Sequence, residues 1–453
     1  MRIPIRAFSP VRYPALLSGP LVTRFAPLIA ILLLFTLLVR SFLPSAFEFH
    51  HPYTSDRSAH SFADPIKITH PVSGCRDTSL TSLEGRENAA ILLLLRERDL
   101  PELLPTLRNF EDKFNNLFRY PYVFLSSPDE GELSASFRRA VASALPDRAV
   151  TEYGVVPSSH WEVPRWMDEE EVRKGFVEQE KRGVQYAGRE GYHHMCRWYS
   201  GLWARHPSLA KYDWFWRLEP GVRFYCSTTY DPIRFLAVHR KVYGFAISVV
   251  ENENTIPTLW ETTQQYMHKR RIEPEREVDP ALWSFLTTRN GDGEVNFSGC
   301  HFWTNFEIGN LRFFRSKDYQ DYFGYLDKAG GFYNERWGDA PVRALALGLF
   351  ANVSQIHHFS DLAYQHDWFL SCPRRFTTRI PSSGRDPLLH LGVGSKSGMV
   401  GQKDAIGCRC ECPQEGELQG RKKGQEVVDM GTDWRFSCLE QWEAAVSRSR
   451  GFR

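Results

Sequence analysis

The chain has 453 residues, enough for one large domain or two, and its 56 basic side chains are nearly matched by 54 acidic ones, a net charge of +2. A chain so evenly balanced offers no field for nucleic acid, which is excluded as a partner. Thirteen tryptophans and an aromatic content of 14% suit a surface that handles sugars, although most of these rings belong in a core.

Phe25 to Val39 is an uncharged, almost wholly apolar run between Arg24 and Arg40. Extended by its apolar neighbours, it predicts a transmembrane signal anchor over 25–44 behind a cytosolic tail, 1–24. A cleaved signal peptide fits less well, because its charged leader is long and Pro44 disfavours a cut after Ala46. Arg2, Arg6, Arg12 and Arg24 precede the run with no acid among them, which holds the N-terminus in the cytosol and the rest in a lumen. The sequons Asn296-Phe297-Ser298 and Asn352-Val353-Ser354, and nine cysteines, agree with an oxidising compartment. Residues 45–85, rich in His, Pro, Ser and Asp, read as a luminal stem.

Ala89 to Leu95 has the continuous apolar pattern of a buried strand. Asp99 and Glu102 form a capping-box pattern around Pro101, and Leu100, Leu103, Leu104, Leu107, Phe110, Phe114 and Leu117 follow at helical spacing. Tyr122 to Leu125 is a second apolar run, so a βαβ unit opens the domain. The predicted fold class is α/β, with a mainly parallel central sheet flanked by helices. Ligands of such sheets bind at the C-terminal ends of strands, where Arg96 stands. Further strands are expected over 214–218, 222–225 and 243–249, and helices over 258–268 and 342–350. After residue 375 the chain turns basic and Gly/Ser-rich, and 376–453 reads as an irregular, Cys-containing extension. Cys408-Arg409-Cys410-Glu411-Cys412 lacks the spacing of structural zinc and points to disulfides. Gly392 to Ser397 lacks the spacing of a phosphate loop.

Five stretches carry candidate chemistry. In Trp216-Arg217-Leu218-Glu219-Pro220-Gly221 an acid ends a strand before a Pro-Gly turn, a placement suited to a divalent ion over a diphosphate, or to a salt bridge with Arg217 or Arg223. Glu307 lies among Phe302, Trp303 and Phe306, with Asn305 and His301 nearby. A carboxylate buried there must meet a ligand or a base, and a nucleophile or sugar-orienting acid is expected, with the rings as sugar walls. Tyr192, His193, His194 and Arg197 form a polar-aromatic cluster. Arg336 and Asp339 precede a helix, and Asp339 either caps it or binds an acceptor. One of His357 and His358 could join Glu219 on Mn²⁺, with Asp361 behind it.

Together, Tyr192 to Arg197, Trp216 to Pro220, Cys300 to Ile308, Glu335 to Pro341 and His357 to Asp361 resemble the fungal α-1,2-mannosyltransferases, glycosyltransferase family 15 or the Kre2/Mnt1-like group. The resemblance covers about residues 86–375. It implies a GT-A fold, a GDP-mannose donor, a mannosylated glycan or α-mannoside acceptor, a Mn²⁺ cofactor, a retained anomer and a type II Golgi membrane layout. It assigns the metal to Glu219 and His357, and catalysis to Glu307 with Tyr192 beside it. It leaves Arg96, Arg197, His301, Trp303, Asn305, Arg336, Asp339 and Asp361 as substrate-binding candidates. His193 replaces an arginine expected from the family form. Two other classes stay open on the residues alone: a retaining glycosidase using Glu219 and Glu307, and an anchored mannan-binding protein without activity.

Overall fold

Ala89–Leu95 is a strand with six of its seven residues buried, as expected for the middle of a sheet covered on both faces. The computed structural model that shows this describes residues 70–75, 85–373, 406–413, 428–431 and 435–451. The tail, the apolar run at 25–44, most of the stem and the segment 392–397 lie outside the described residues. Among the described residues no helix is long and apolar enough to cross a membrane.

In chain order the described strands begin with β1 (Ala89–Leu95), β2 (Tyr122–Ser126), β3 (Thr151–Val155), β4 (Trp214–Arg217), β5 (Arg223–Phe224), β6 (Tyr243–Phe245) and β7 (Ser248–Val250). They continue with β8 (Thr287–Arg289), β9 (Val295–Phe297), β10 (Cys300–Phe302), β11 (Glu307–Asn310), β12 (Ile356–His358), β13 (Tyr364–His366), β14 (Phe369–Ser371) and β15 (Val428–Asp429). The central sheet has the order β12-β6-β11-β4-β1-β2-β3. Four of its six pairings are parallel, and only β11 runs against its neighbours β4 and β6. The predicted α/β class with a mainly parallel sheet is therefore what the structure shows.

The Leu100–Phe110 helix carries β1 to β2 and buries Leu103, Leu107 and Phe110. The expected capping box does not form there. Asp99 turns its carboxylate back to the Arg96 backbone N–H, at 2.9 Å, and to its guanidinium. The single strand expected over 243–249 is two strands, because the chain leaves the central sheet after Phe245 and β7 pairs with β10. A second sheet, β15-β14-β13-β5, begins where the chain turns after Glu219. The Thr106 hydroxyl pins that turn by accepting the Gly221 N–H at 2.9 Å.

The alternating cysteines form disulfides, as their spacing suggested. The chain bends at Arg409, where φ is 46°, and Cys408, Cys410 and Cys412 reach three different neighbours, Cys75, Cys226 and Cys372. Cys438 pairs with Cys300, and Cys196 is left buried and free. Part of the stem is thus bound to the extension: Cys75 is cross-linked to Cys408, and Val72 is buried and accepts the Gly407 N–H at 2.8 Å. The extension is partly ordered too. Its helix Leu439–Gly451 sets Trp442 edge-on against Phe245, Phe285 and Phe302.

Candidate active site

The site is organised by an arginine. Arg217 ends β4, and antiparallel β11 places Glu307 directly opposite it. Its Nη2 donates to Glu219 at 2.6 Å and its Nη1 to Asp339 at 2.7 Å, with Glu307 Oε1 3.6 Å from Nη1. The guanidinium lies over the Tyr199 ring, 3.6 Å from its centre. Three acids separated by 88 and 32 positions in the sequence therefore meet on one buried cation at the C-terminal end of β4. Asp339 is not the cap of its helix. Gly338 holds that position, and Asp339 in the first turn spends its carboxylate on Arg217.

Glu219 is the accessible member, with 27% of its side chain exposed. Burial works to raise its carboxyl, but Arg217 and then His366 outweigh burial and hold it at about 2. Its second oxygen lies 3.4 Å from His366 Nε2, and the other ring nitrogen of His366 faces Asp367 at 3.5 Å. Trp303 meets the His366 ring edge-on at 4.9 Å. An ionised carboxylate oxygen and an imidazole nitrogen form a donor pair that suits Mn²⁺. Two adjacent ligands on bonds of about 2.1 Å lie about 3 Å apart, so this pair fits one ion with little movement. Among the described residues no group of three or more His, Cys, Asp or Glu side chains holds a metal by itself. A metal here would therefore complete its shell with ligand and water oxygens.

His357 does not share this site. It pairs with Gly244, which pairs with Ile308, which pairs with Trp216, so three strand spacings of about 4.8 Å separate it from β4. Its ring packs among His70, Phe235 and Phe359, and burial holds its pKa far below the usual histidine value. The imidazole beside Glu219 is His366, at the end of β13.

Glu307 is fully buried. Arg343 Nε lies 2.9 Å from one of its oxygens and the Tyr243 hydroxyl donates to the same oxygen at 3.2 Å. Burial raises its carboxyl to about 7 against the pull of Arg343 and Arg217. The aromatic walls expected around it are mostly core. Phe302 packs on Tyr243 and Phe245, and Phe306 on Trp216 and Phe224, while Trp303 is the half-buried ring that reaches His366. The open face expected of a nucleophile is absent in this state.

A second polar group adjoins Asp339. Arg336 is buried, 3.8 Å from Glu251, and stands over the half-buried Tyr192 ring at 5.5 Å, with the Cys196 thiol beside it. Burial, with Cys196 next, drives the Tyr192 hydroxyl well above its usual range. Burial pushes the Cys196 thiol up to about 12. Glu251, Asp339 and Arg336 all act electrostatically on buried His301, whose Nδ1 lies 3.3 Å from the Gly299 carbonyl. Tyr192 thus belongs with Arg336 rather than against Glu307.

The remaining candidates are placed as follows. Arg197 is spent on Asp327, with two bonds at 2.7 and 3.0 Å, and packs the fold rather than the site. His193 bridges the carbonyls of Phe332 and Ala187 and is structural. Arg96 stands half-exposed at the C-terminal end of β1, paired with Asp99. Asn305 accepts from Tyr364 at 3.0 Å, beneath the β13 strand that carries His366. Asp361 is buried against the turn at Gly407, whose absent side chain leaves room for the Asp361 carbonyl. Sequence reading passed over Arg343, although an arginine alone among Ala, Val, Leu and Gly in a buried helix announces a buried partner.

Residues 54–383 match the family described as glycolipid 2-alpha-mannosyltransferase. The alpha-1,2 mannosyltransferase KTR1 of Saccharomyces cerevisiae is 43% identical over 295 residues, 65% of this chain and 72% of the relative. The O-glycoside alpha-1,2-mannosyltransferase omh1 of Schizosaccharomyces pombe is 40% identical over 296 residues, 65% of this chain and 73% of the relative. Among solved structures, the Mn/GDP form of core-mannan synthase A (CmsA/Ktr4) of Aspergillus fumigatus matches with a TM-score of 0.64 and 29% identity, over 84% of this chain and 92% of that one. The S. cerevisiae mannosyltransferase Ktr4p in complex with GDP matches with a TM-score of 0.64 and 33% identity, over 80% and 83%. With its GT-A-like sheet, its acids gathered on Arg217 and these matches, the chain belongs to the glycolipid 2-alpha-mannosyltransferase family.

Proposed function

We propose that this chain is a Mn²⁺-dependent α-1,2-mannosyltransferase that moves mannose from GDP-mannose to the 2-hydroxyl of an α-mannoside, with retention at the anomeric carbon. The observation that carries this reading is the meeting of Glu219, Glu307 and Asp339 on Arg217 at the C-terminal end of β4, with His366 beside the exposed acid. The relatives named above, two of them solved with GDP and one of those with Mn, support the donor and the metal.

Glu219 and His366 would hold Mn²⁺, which when bound offsets the charge of a departing diphosphate. The protein's own groups do the rest. Arg217 fixes one oxygen of the Glu219 carboxylate and leaves the second facing His366. Glu307 is the acid of the floor, braced by Arg343 and Tyr243. Its ionised form supplies negative charge beneath the anomeric carbon, and a direct attack by it requires the residues above to move. Trp303 offers a half-buried ring face to the sugar, and Arg336 and Tyr192 stand on the Asp339 side of the cluster. A Golgi type II placement is part of the proposal and is supported by the apolar run at 25–44, its arginine flank and the four disulfides.

The luminal chain should convert GDP-mannose and α-methyl mannoside to an α-linked dimannoside only with Mn²⁺. A glycosidase would instead cleave an aryl mannoside without nucleotide, and a mannan-binding protein would gain no thermal stability from GDP and Mn²⁺. Either result would retire the transferase. Glu219→Ala and His366→Ala should each weaken Mn²⁺ binding, whereas His357→Ala should leave it unchanged.

A further inference from the structure

His366 sits on a hairpin that is weak by itself. β13 and β14 are three residues each, joined through Asp367 at a φ of 48°, a backbone conformation unfavourable for a residue other than glycine. A two-stranded ribbon of that length is marginal in water, and the outer edge of β14 would leave backbone groups unpaired. The structure covers that edge with residues beyond 383, past the end of the family match. β15 pairs in parallel with β14, setting Val428 against Phe369 and Asp429 against Leu370. The Val428 N–H donates to the Trp368 carbonyl at 2.6 Å and the Met430 N–H to the Leu370 carbonyl at 2.8 Å. Met430 is fully buried.

A row of rings continues the support. Phe436 lies 5.8 Å from Phe369, Phe369 lies 5.2 Å from Trp303, and Trp303 lies 4.9 Å from His366. Covalent anchors stand on both sides. Cys412 is bonded to Cys372, directly after β14, and Cys438 is bonded to Cys300, next to the His301–Trp303 segment. Between the anchors, the Phe436 carbonyl accepts the Val250 N–H at 2.9 Å, and the Cys438 N–H donates to the Ser248 carbonyl at 3.1 Å.

We propose that β15, Met430 and Phe436 form a disulfide-anchored strap whose function is to hold the His366 hairpin, and so to set the affinity of the Glu219–His366 pair for its metal. The inference rests on the metal reading given above. These are positioning residues: none touches the ion, and their effect passes through the backbone of β14 and the ring of Trp303. The strap explains why a tail outside the matched region is cross-linked both beside the His366 hairpin and beside the Trp303 segment that touches it. It also predicts that damage to the tail is felt in metal binding before it is felt in turnover at saturating metal.

The test uses the whole luminal chain with its disulfides intact. Val428→Pro removes the N–H that bonds Trp368, and Phe436→Ala removes the outermost ring at a partly exposed position, so one variant remains informative should the other misfold. Mn²⁺ binding is read with GDP present from the electron paramagnetic resonance signal of the free ion, with thermal stabilisation by Mn²⁺ and GDP as a second readout. Both variants are expected to raise the Mn²⁺ half-saturation about tenfold while kcat at saturating Mn²⁺ stays within twofold of wild type. Superimposable binding curves for a folded variant and wild type would overturn the strap. Glu219→Ala serves as the reference. If it binds Mn²⁺ like wild type, the metal reading itself fails; if it loses binding while the strap variants keep it, only the strap fails.

Discussion

Arg217→Met isolates what the three acids need. Methionine keeps much of the aliphatic stem of arginine and removes the cation. Asp339, 9% exposed, then loses a bond of 2.7 Å, Glu219 loses one of 2.6 Å, and fully buried Glu307 loses a cation at 3.6 Å. At an effective dielectric near 20, one such contact at about 4 Å is worth about 4 kcal/mol. Breaking a buried pair by removing one partner costs about 3–5 kcal/mol, because an uncompensated charge is left behind. Glu219 can turn to water, so most of the cost falls on Asp339 and Glu307. Urea unfolding of residues 45–453 with the disulfides oxidised should therefore show a loss of about 3–5 kcal/mol. The pairing argument makes a second demand: Asp339→Asn in the Arg217→Met background should recover at least about 1 kcal/mol, since it removes a charge that has lost its partner. A loss below about 1 kcal/mol in the single variant, or a further loss in the double variant, would refute the account of Arg217 as the shared counter-charge.

Glu307, lifted from 4.5 to about 7, is protonated below that value, so the penalty of its buried charge is absent at low pH and grows as the pH rises between them. Thermal midpoints of wild type should fall across that window relative to Glu307→Gln, and kcat/KM should drop as the pH is lowered below about 7 if the ionised form is the active one. Glu219, held at about 2, stays ionised across that window, and its stabilising share is lost progressively as the pH falls from about 4.5 to about 2. Non-reducing peptide mapping should return the pairs 75–408, 226–410, 300–438 and 372–412, with Cys196 reacting with an alkylating agent only after unfolding. Of the two sequons, Asn296 lies partly exposed on the β8–β9 hairpin, whereas the Asn352 side chain is engaged in capping the next turn and its N–H bonds Gln355. Glycan removal should shift the mobility of Asn352→Gln as it does wild type, and should not shift that of Asn296→Gln.

The parts of this fold that could be read from sequence are those fixed by local periodicity. The apolar run at 89–95, the helical spacing from Leu100 and the Pro-Gly turn after Glu219 each constrain a few neighbouring residues, and each lies where expected. The exchange of His357 for His366 had no such guide. Both histidines belong to three-residue strands in one stretch of 11 residues, with equally plausible neighbours, and only the order of strands tells them apart. β12 is at the far edge of the central sheet, while β13 pairs with the strand that follows Glu219. The rings around Glu307 misled for a similar reason: composition shows that Phe302, Trp303 and Phe306 are near, but not that two of them face the core.

Strand direction decides the site more than any single residue does. β11 begins with Glu307 and runs against β4, so its first residue lies beside the last residue of β4, and Glu307 meets Arg217. Were the same four residues paired in parallel, Glu307 would lie at the other end of β4, about 10 Å away at 3.3 Å per residue. Arg343 and Tyr243 would then brace an acid far from Glu219. Nothing in the alternation of Glu307-Ile308-Gly309-Asn310 encodes that direction. It is set by the antiparallel pairing of β10 with β7, which β11 continues against β6, a long-range fact that cysteine pairing reinforces through Cys300 and Cys438. The convergence of acids is therefore a property of topology, with the motifs supplying the groups that topology brings together.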